Sequence, residues 1–203
     1  MNTTIKKRLM RTVILCAIAM AIGVGAAYTE LKSRHDNMPP PVAGVSVGGP
    51  FALTDHTGKD VTQEAYAGQY KLIYFGFTYC PAICPTELQK ITKVLNILGD
   101  EGDDIQPLFI TIDPERDTVD TMRGYVSLFH PRLIGLTGNR AQIDKVLANY
   151  RVFAQKVEDP ENNDYTMDHS SFIYLMSPDD TLISIYRIQD DADYIAADIA
   201  KKL

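Results

Sequence analysis

The sequence predicts one α/β domain, a central mixed β-sheet flanked by helices, and three observations carry that reading. The runs "YKLIYFGF" (residues 70–77) and "PLFITID" (residues 107–113) are continuously apolar and rich in strand formers, as expected of strands covered on both faces. Between them Leu88, Ile91, Leu95 and Leu98 recur at helical spacing, which completes a βαβ unit. Near the end of the chain "FIYLM" and "LISIY" flank the turn "SPDD", an antiparallel hairpin. With 203 residues and 45% hydrophobic content the chain fills one core and is too short for two comfortable ones.

The elements follow in order. Lys6, Lys7, Arg8 and Arg11 precede an uncharged run over residues 12–28, which as a helix reaches roughly 25 Å, slightly short of a bilayer core. Residues 1–28 therefore read as a membrane anchor, with a cleaved signal peptide as the competing reading because of Gly25 and Ala27. In either case the basic flank stays in the cytoplasm and the rest is exported. Cys16 falls too early in the run for a lipoprotein cleavage site and reads as a small apolar membrane residue. Residues 29–49, rich in Pro, Gly, Ser and charge, read as a flexible tether, and the folded domain occupies residues 50–203.

That domain opens with two short strands around the turn "DHTGKD", an N-terminal β-hairpin. Gly99 stops the helix of the βαβ unit. Val119, Met122, Val126 and Phe129 mark a second helix ended by Pro131. The short strand "RLIGL" comes next, then a helix carrying Ile143, Val146, Leu147 and Tyr150. Tyr194, Ile195 and Ile199 begin a terminal amphipathic helix. A βαβ unit, a later hairpin and a closing helix form the thioredoxin-like arrangement of layers, with extra elements inserted. Net charge is −6 and no stretch of the exported part clusters Lys and Arg, so nucleic acid is excluded as a partner.

The chemistry-bearing stretch is "YFGFTYCPAICPTEL" (residues 74–88), at the carboxyl end of a central strand, where sites collect in open α/β sheets. Pro85 suits the first helical position, which puts Cys84 at the cap and Cys80 in the preceding loop. Near a helix N-terminus both thiols should favour the thiolate, at once a nucleophile and a soft metal ligand. A structural disulfide is the plainer alternative, but one spanning three residues closes too small a loop to stabilise much.

Together "FGFTYCPAICPTEL", "TIDPERDT" and "DYTMDHSSFIYL" resemble the Sco/SenC family, membrane-anchored thioredoxin-fold copper proteins associated with assembly of cytochrome c oxidase. The similarity runs from about Pro50 to the C-terminus. It implies copper ligation by Cys80, Cys84 and His169. One departure is Ala82, where the family usually has an aspartate, which touches the tuning of the site but not its ligands. Two thiolates and an imidazole suit Cu(I), whereas structural zinc would want a fourth protein ligand. The polar stretch over residues 157–168 reads as a surface loop inserted before His169, able to swing the imidazole on and off the metal. His35, His56 and His130 lack such a context. In "DPERD" (residues 113–117) Asp117 or Thr118 can cap the next helix and Arg116 can pair with a carboxylate, with a docking surface as the second reading. Phe77, Tyr79 and Ile83 around the thiols are first of all packing, and secondarily an apolar patch for a partner.

Three functions compete. The first is a metallochaperone delivering copper to the dinuclear copper centre of an exported oxidase subunit. The second is a thiol-disulfide oxidoreductase that uses Cys80 and Cys84 to reduce that subunit's cysteines. His169 and the C-x-x-x-C spacing favour the first, since redox dithiols of this fold typically use C-x-x-C and need no histidine. A peroxiredoxin, suggested by "CPTEL", ranks third because Pro81 stands where that family carries a threonine. The resemblance further implies a bacterial inner-membrane protein, single-pass with its domain in the periplasm. Other periplasmic copper chaperones or thiol reductases would be its further partners.

Overall fold

The computed structural model describes residues 46–159 and 164–203, together with Met20. Ser46–Leu203 form a compact unit. The proposed anchor, apart from Met20, and residues 29–45 of the proposed tether lie outside the described residues, as do Cys16 and His35. Among the described residues no helix is long and apolar enough to cross a membrane.

Among the described residues seven strands form one sheet, in the order β2 (Asp60–Thr62), β1 (Ala52–Asp55), β5 (Ile134–Thr137), β4 (Ile105–Thr111), β3 (Tyr70–Gly76), β8 (Phe172–Met176) and β9 (Leu182–Arg187). At its centre β3 (Tyr70–Gly76) pairs in parallel with β4 (Ile105–Thr111) and antiparallel with β8 (Phe172–Met176). Six of the seven β3 residues are buried, which is why the run lacks alternation. Lys71 is one of them, and its ammonium pairs with Asp180 at the turn joining β8 to β9 (Leu182–Arg187). On the other side β4 pairs in parallel with β5 (Ile134–Thr137). The hairpin of β1 (Ala52–Asp55) and β2 (Asp60–Thr62) extends that edge antiparallel.

The helices are α1 (Ile83–Leu98), α2 (Val119–Val126), α3 (Arg140–Tyr150) and α4 (Ala192–Ile199). Helix α1 packs along α4, and α2 against β5. Gly99 ends α1 at φ 53°, a conformation glycine adopts without penalty. Thr118 caps α2 by accepting from the Thr121 N–H, and Asn139 with Gln142 forms a capping box on α3. The thioredoxin-like arrangement expected from the sequence is present, including the N-terminal hairpin.

The segment ahead of His169 differs from expectation. Residues 154–169 form not a loop but a separate two-stranded ribbon, β6 (Ala154–Asp159) antiparallel to β7 (Asp164–His169), with residues 160–163 outside the described ones. Tyr165, Met167 and His169 sit on the half-buried face and Thr166 and Asp168 on the exposed one. The period of two exists, but so few apolar side chains mark it that composition alone reads as loop.

Candidate metal centre

Strand β3 ends at Gly76, and the chain runs through Phe77, Thr78 and Tyr79 to Cys80 before α1 begins. The helix starts earlier than Pro85: Ala82 occupies the cap, Cys84 the second helical position and Pro85 the third. Proline is accommodated there because the first N–H groups of a helix have no intrahelical partner to lose. Ala82 offers no side chain to cap with, and the Cys84 N–H points instead at the Cys80 sulfur, 3.3 Å away.

The two thiols, expected to be alike, are opposites. Cys80 is part-exposed, Cys84 fully buried, and they are not joined as a disulfide. The Cys84 thiol and the N–H groups of Cys84, Ala82 and Ile83 donate toward Cys80 and hold it down at about 5, against the opposing effect of burial. Hydrogen bonding with Cys80 and burial push the Cys84 thiol up. Cys80 is thus the more accessible thiol and the thiolate, and Cys84 the protonated partner behind it.

His169 ends β7 and lies with its Nε2 3.7 Å from the Cys84 sulfur. Its Nδ1 stands 2.9 Å from the Ser170 carbonyl oxygen, an acceptor only. Nδ1 therefore carries a proton, and Nε2 is the nitrogen that faces the sulfur. The ring stands edge-on to Phe77 at 5.9 Å and Tyr74 at 6.5 Å. The Tyr74 hydroxyl donates to Cys84 Sγ at 3.6 Å. A sulfur and a nitrogen bound to one ion at typical ligand lengths stand roughly 3.6–3.8 Å apart, so the Cys84–His169 pair already has the spacing of two ligands. Among the described residues, however, no three His, Cys, Asp or Glu side chains are close enough together to hold an ion without movement. With Cys80 turned toward the helix N–H groups, rotation of its side chain is what would complete a three-donor set.

The remaining candidates divide. His56 and His130 accept backbone N–H groups of Gly135 and Arg132 through Nδ1, which are structural roles. Phe77 is buried, whereas Tyr79 and Ile83 are exposed beside the thiols. In the "DPERD" cluster Asp117 is fully buried and accepts from the Thr78 N–H at 3.1 Å and from the Thr78 and Thr111 hydroxyls, both at 2.6 Å. It ties the cysteine loop to the end of β4. Arg116 pairs with Asp113, Nε to Oδ2 2.7 Å.

Sequence reasoning missed two contributors. A Cβ on Gly76 would meet the Cys84 sulfur at 2.8 Å, so this glycine makes the thiol's cavity. Tyr74, read only as a strand former, supplies the hydroxyl on the same sulfur. A glycine ending a buried strand just before C-x-x-x-C was the available signal.

The pattern of the family described as SCO1/SenC matches residues 41–203. The chain is 40% identical over 202 residues to the mitochondrial SCO2 homolog of Bos taurus, covering 96% of this chain and 76% of that protein. It is 45% identical over 171 residues to the mitochondrial SCO1 homolog of Homo sapiens, covering 83% of this chain and 55% of that one, so it spans little more than half of the human protein's length. Bradyrhizobium japonicum ScoI, solved with copper bound, is similar at 46% identity and TM-score 0.72, with 78% of this chain and all of that one covered. BsSco, described with a disulfide switch and as a member of the Sco family of cytochrome c oxidase assembly proteins, is 25% identical at TM-score 0.61, covering 79% of this chain and 96% of its own. Family pattern, sequence identity and fold agree, and this chain belongs to the SCO1/SenC family.

Proposed function

We propose that this protein binds one copper ion through Cys80, Cys84 and His169 and hands it to the dinuclear copper centre of cytochrome c oxidase while that enzyme is assembled. The observation that carries the reading is His169 Nε2 facing the Cys84 sulfur at 3.7 Å beside a second, acidic thiol. Two soft sulfurs and an imidazole form a donor set suited to Cu(I), and a three-coordinate shell leaves room for an incoming ligand. The copper-bound relative and the family's link to oxidase assembly supply the cargo and the recipient. Cargo leaves as the recipient's thiolates and imidazoles replace these ligands one at a time. The run at residues 12–28 and its basic flank support a membrane-tethered, exported domain with the oxidase copper subunit as partner.

A second reading has one observation in its favour. A part-exposed, acidic Cys80 backed by a buried, protonated Cys84 is the pairing of an attacking and a resolving thiol. In that role the Cys80 thiolate attacks a disulfide of the oxidase subunit, forming a mixed disulfide and releasing one target thiol, and Cys84 then attacks the Cys80 sulfur and releases the second, leaving the target reduced and this chain with a Cys80–Cys84 disulfide. Copper quantification on the full chain separates the readings. Delivery requires about one Cu(I) bound when the thiols are reduced and none when they are joined. Equal binding in both redox states would exclude the assigned site.

A further inference from the structure

The ribbon that carries His169 is not part of the seven-stranded sheet, and a lone hairpin is marginal in water. Something has to dock it, because the distance from His169 to Cys84 depends on where the ribbon sits. Met167 and Ala154 pack on the core from its inner side. At the surface Lys156 of β6 pairs with Glu115 at 3.6 Å, and the more buried polar attachment is Arg116. Its guanidinium lies 3.6 Å from the Tyr165 ring centroid, on β7, and 4.6 Å from the Tyr79 ring centroid, in the cysteine loop. In the same place Arg116 pairs with Asp113 at 2.7 Å and with Asp164 at 3.4 Å, while the Tyr165 hydroxyl donates to the other Asp113 oxygen at 3.0 Å. Asp113 is nearly fully buried at the end of β4, so the fixed end of this assembly is the sheet itself.

We propose that Arg116 is a positioning residue for His169, a brace that joins the cysteine loop to the histidine ribbon through Tyr79 and Tyr165. Tyr165, Met167 and His169 alternate onto one face of β7, so fixing Tyr165 fixes the register and tilt of that face four residues on, about 13 Å along the strand. Only arginine suits the position. A planar guanidinium offers its faces to rings and its edge to carboxylates at once, which a lysine ammonium cannot do. The charges facing Arg116 are Asp113 and Asp164, and Lys156 lies against Tyr165 at 3.8 Å from its centroid. The brace rests on the copper-ligand reading above, and it deepens that reading by giving "DPERD" a role inside the protein.

The test uses the full chain, reduced, carrying one Cu(I), with retention measured against a Cu(I) chelator. Arg116→Ala and Arg116→Lys each weaken retention about 10-fold, the effect of losing a residue that orients a ligand. In a His169→Ala background Arg116→Ala costs nothing more, because the ligand it positions is already gone. Additive losses, or no loss from Arg116→Ala in the native background, overturn the brace. If His169→Ala alone leaves retention unchanged, the ligand assignment fails instead, so the two failures are distinct. A copper-free arm reads the brace directly through amide exchange. Arg116→Lys and Tyr165→Leu speed exchange across β6 and β7 about 10-fold while β3 and β4 stay protected. Unchanged exchange in the ribbon, or equal acceleration across the whole sheet, contradicts a local brace.

Discussion

The Cys84 sulfur lies 2.8 Å from where a Cβ on Gly76 would be, closer than such an atom tolerates, and the Tyr74 and Phe109 rings are the next neighbours of that point. A methyl group at position 76 would thus collide with the sulfur and with both rings. Gly76→Ala therefore displaces Cys84 from the Tyr74 hydroxyl and from His169. The expected cost is about 1–3 kcal/mol in urea unfolding of the apo protein, as for overpacking a tight core, together with loss of copper retention. Wild-type stability and retention in the variant would show that the sulfur has room to spare.

Cys80, held down at about 5, should be ionised throughout the neutral range. In the reduced, metal-free protein its alkylation rate, followed peptide by peptide by mass spectrometry, should be flat above about pH 6 and fall as the pH drops through about 5, where the thiolate takes up its proton. Cys84, buried and pushed up, should stay unlabelled until the protein unfolds. A Cys80 rate that keeps climbing between about pH 7 and about pH 9 contradicts this assignment.

Ala82→Asp tests how the helix start tunes that thiol. Position 82 is the exposed cap of α1, and a carboxylate there places negative charge beside the Cys80 thiolate. It also competes for the Cys84 N–H, the donor Cys80 now uses, since Pro85 has no N–H to offer. Both effects raise the Cys80 midpoint, modestly because solvent screens an exposed charge. An unchanged or lowered midpoint would mean that position 82 does not tune the site.

Much of this was legible because the signals are local. A buried strand, a helical repeat and a glycine stop gave the βαβ unit, and two late apolar runs gave β8 and β9. The dithiol was visible in its own motif and His169 only through the family resemblance, since the contact between residues 84 and 169 is a product of topology that no local pattern contains. Three things were not legible. The ribbon was hidden because its half-buried face carries one aromatic, one methionine and one histidine, too few for an apolar alternation. The helix start was misplaced because Pro85 is tolerated anywhere in the first turn. The unlike environments of the thiols depend on which one the helix rotates into the core, a question decided by the packing of Cys84 beneath Gly76.

Copper K-edge X-ray absorption of the reduced full chain loaded with one Cu(I) tests the central claim most directly, because it counts the donor atoms. The account predicts two sulfur and one nitrogen scatterers in the wild type, with the nitrogen lost in His169→Ala and the sulfurs kept. A spectrum that His169→Ala leaves unchanged, or one with a single sulfur, would contradict copper ligation by Cys80, Cys84 and His169.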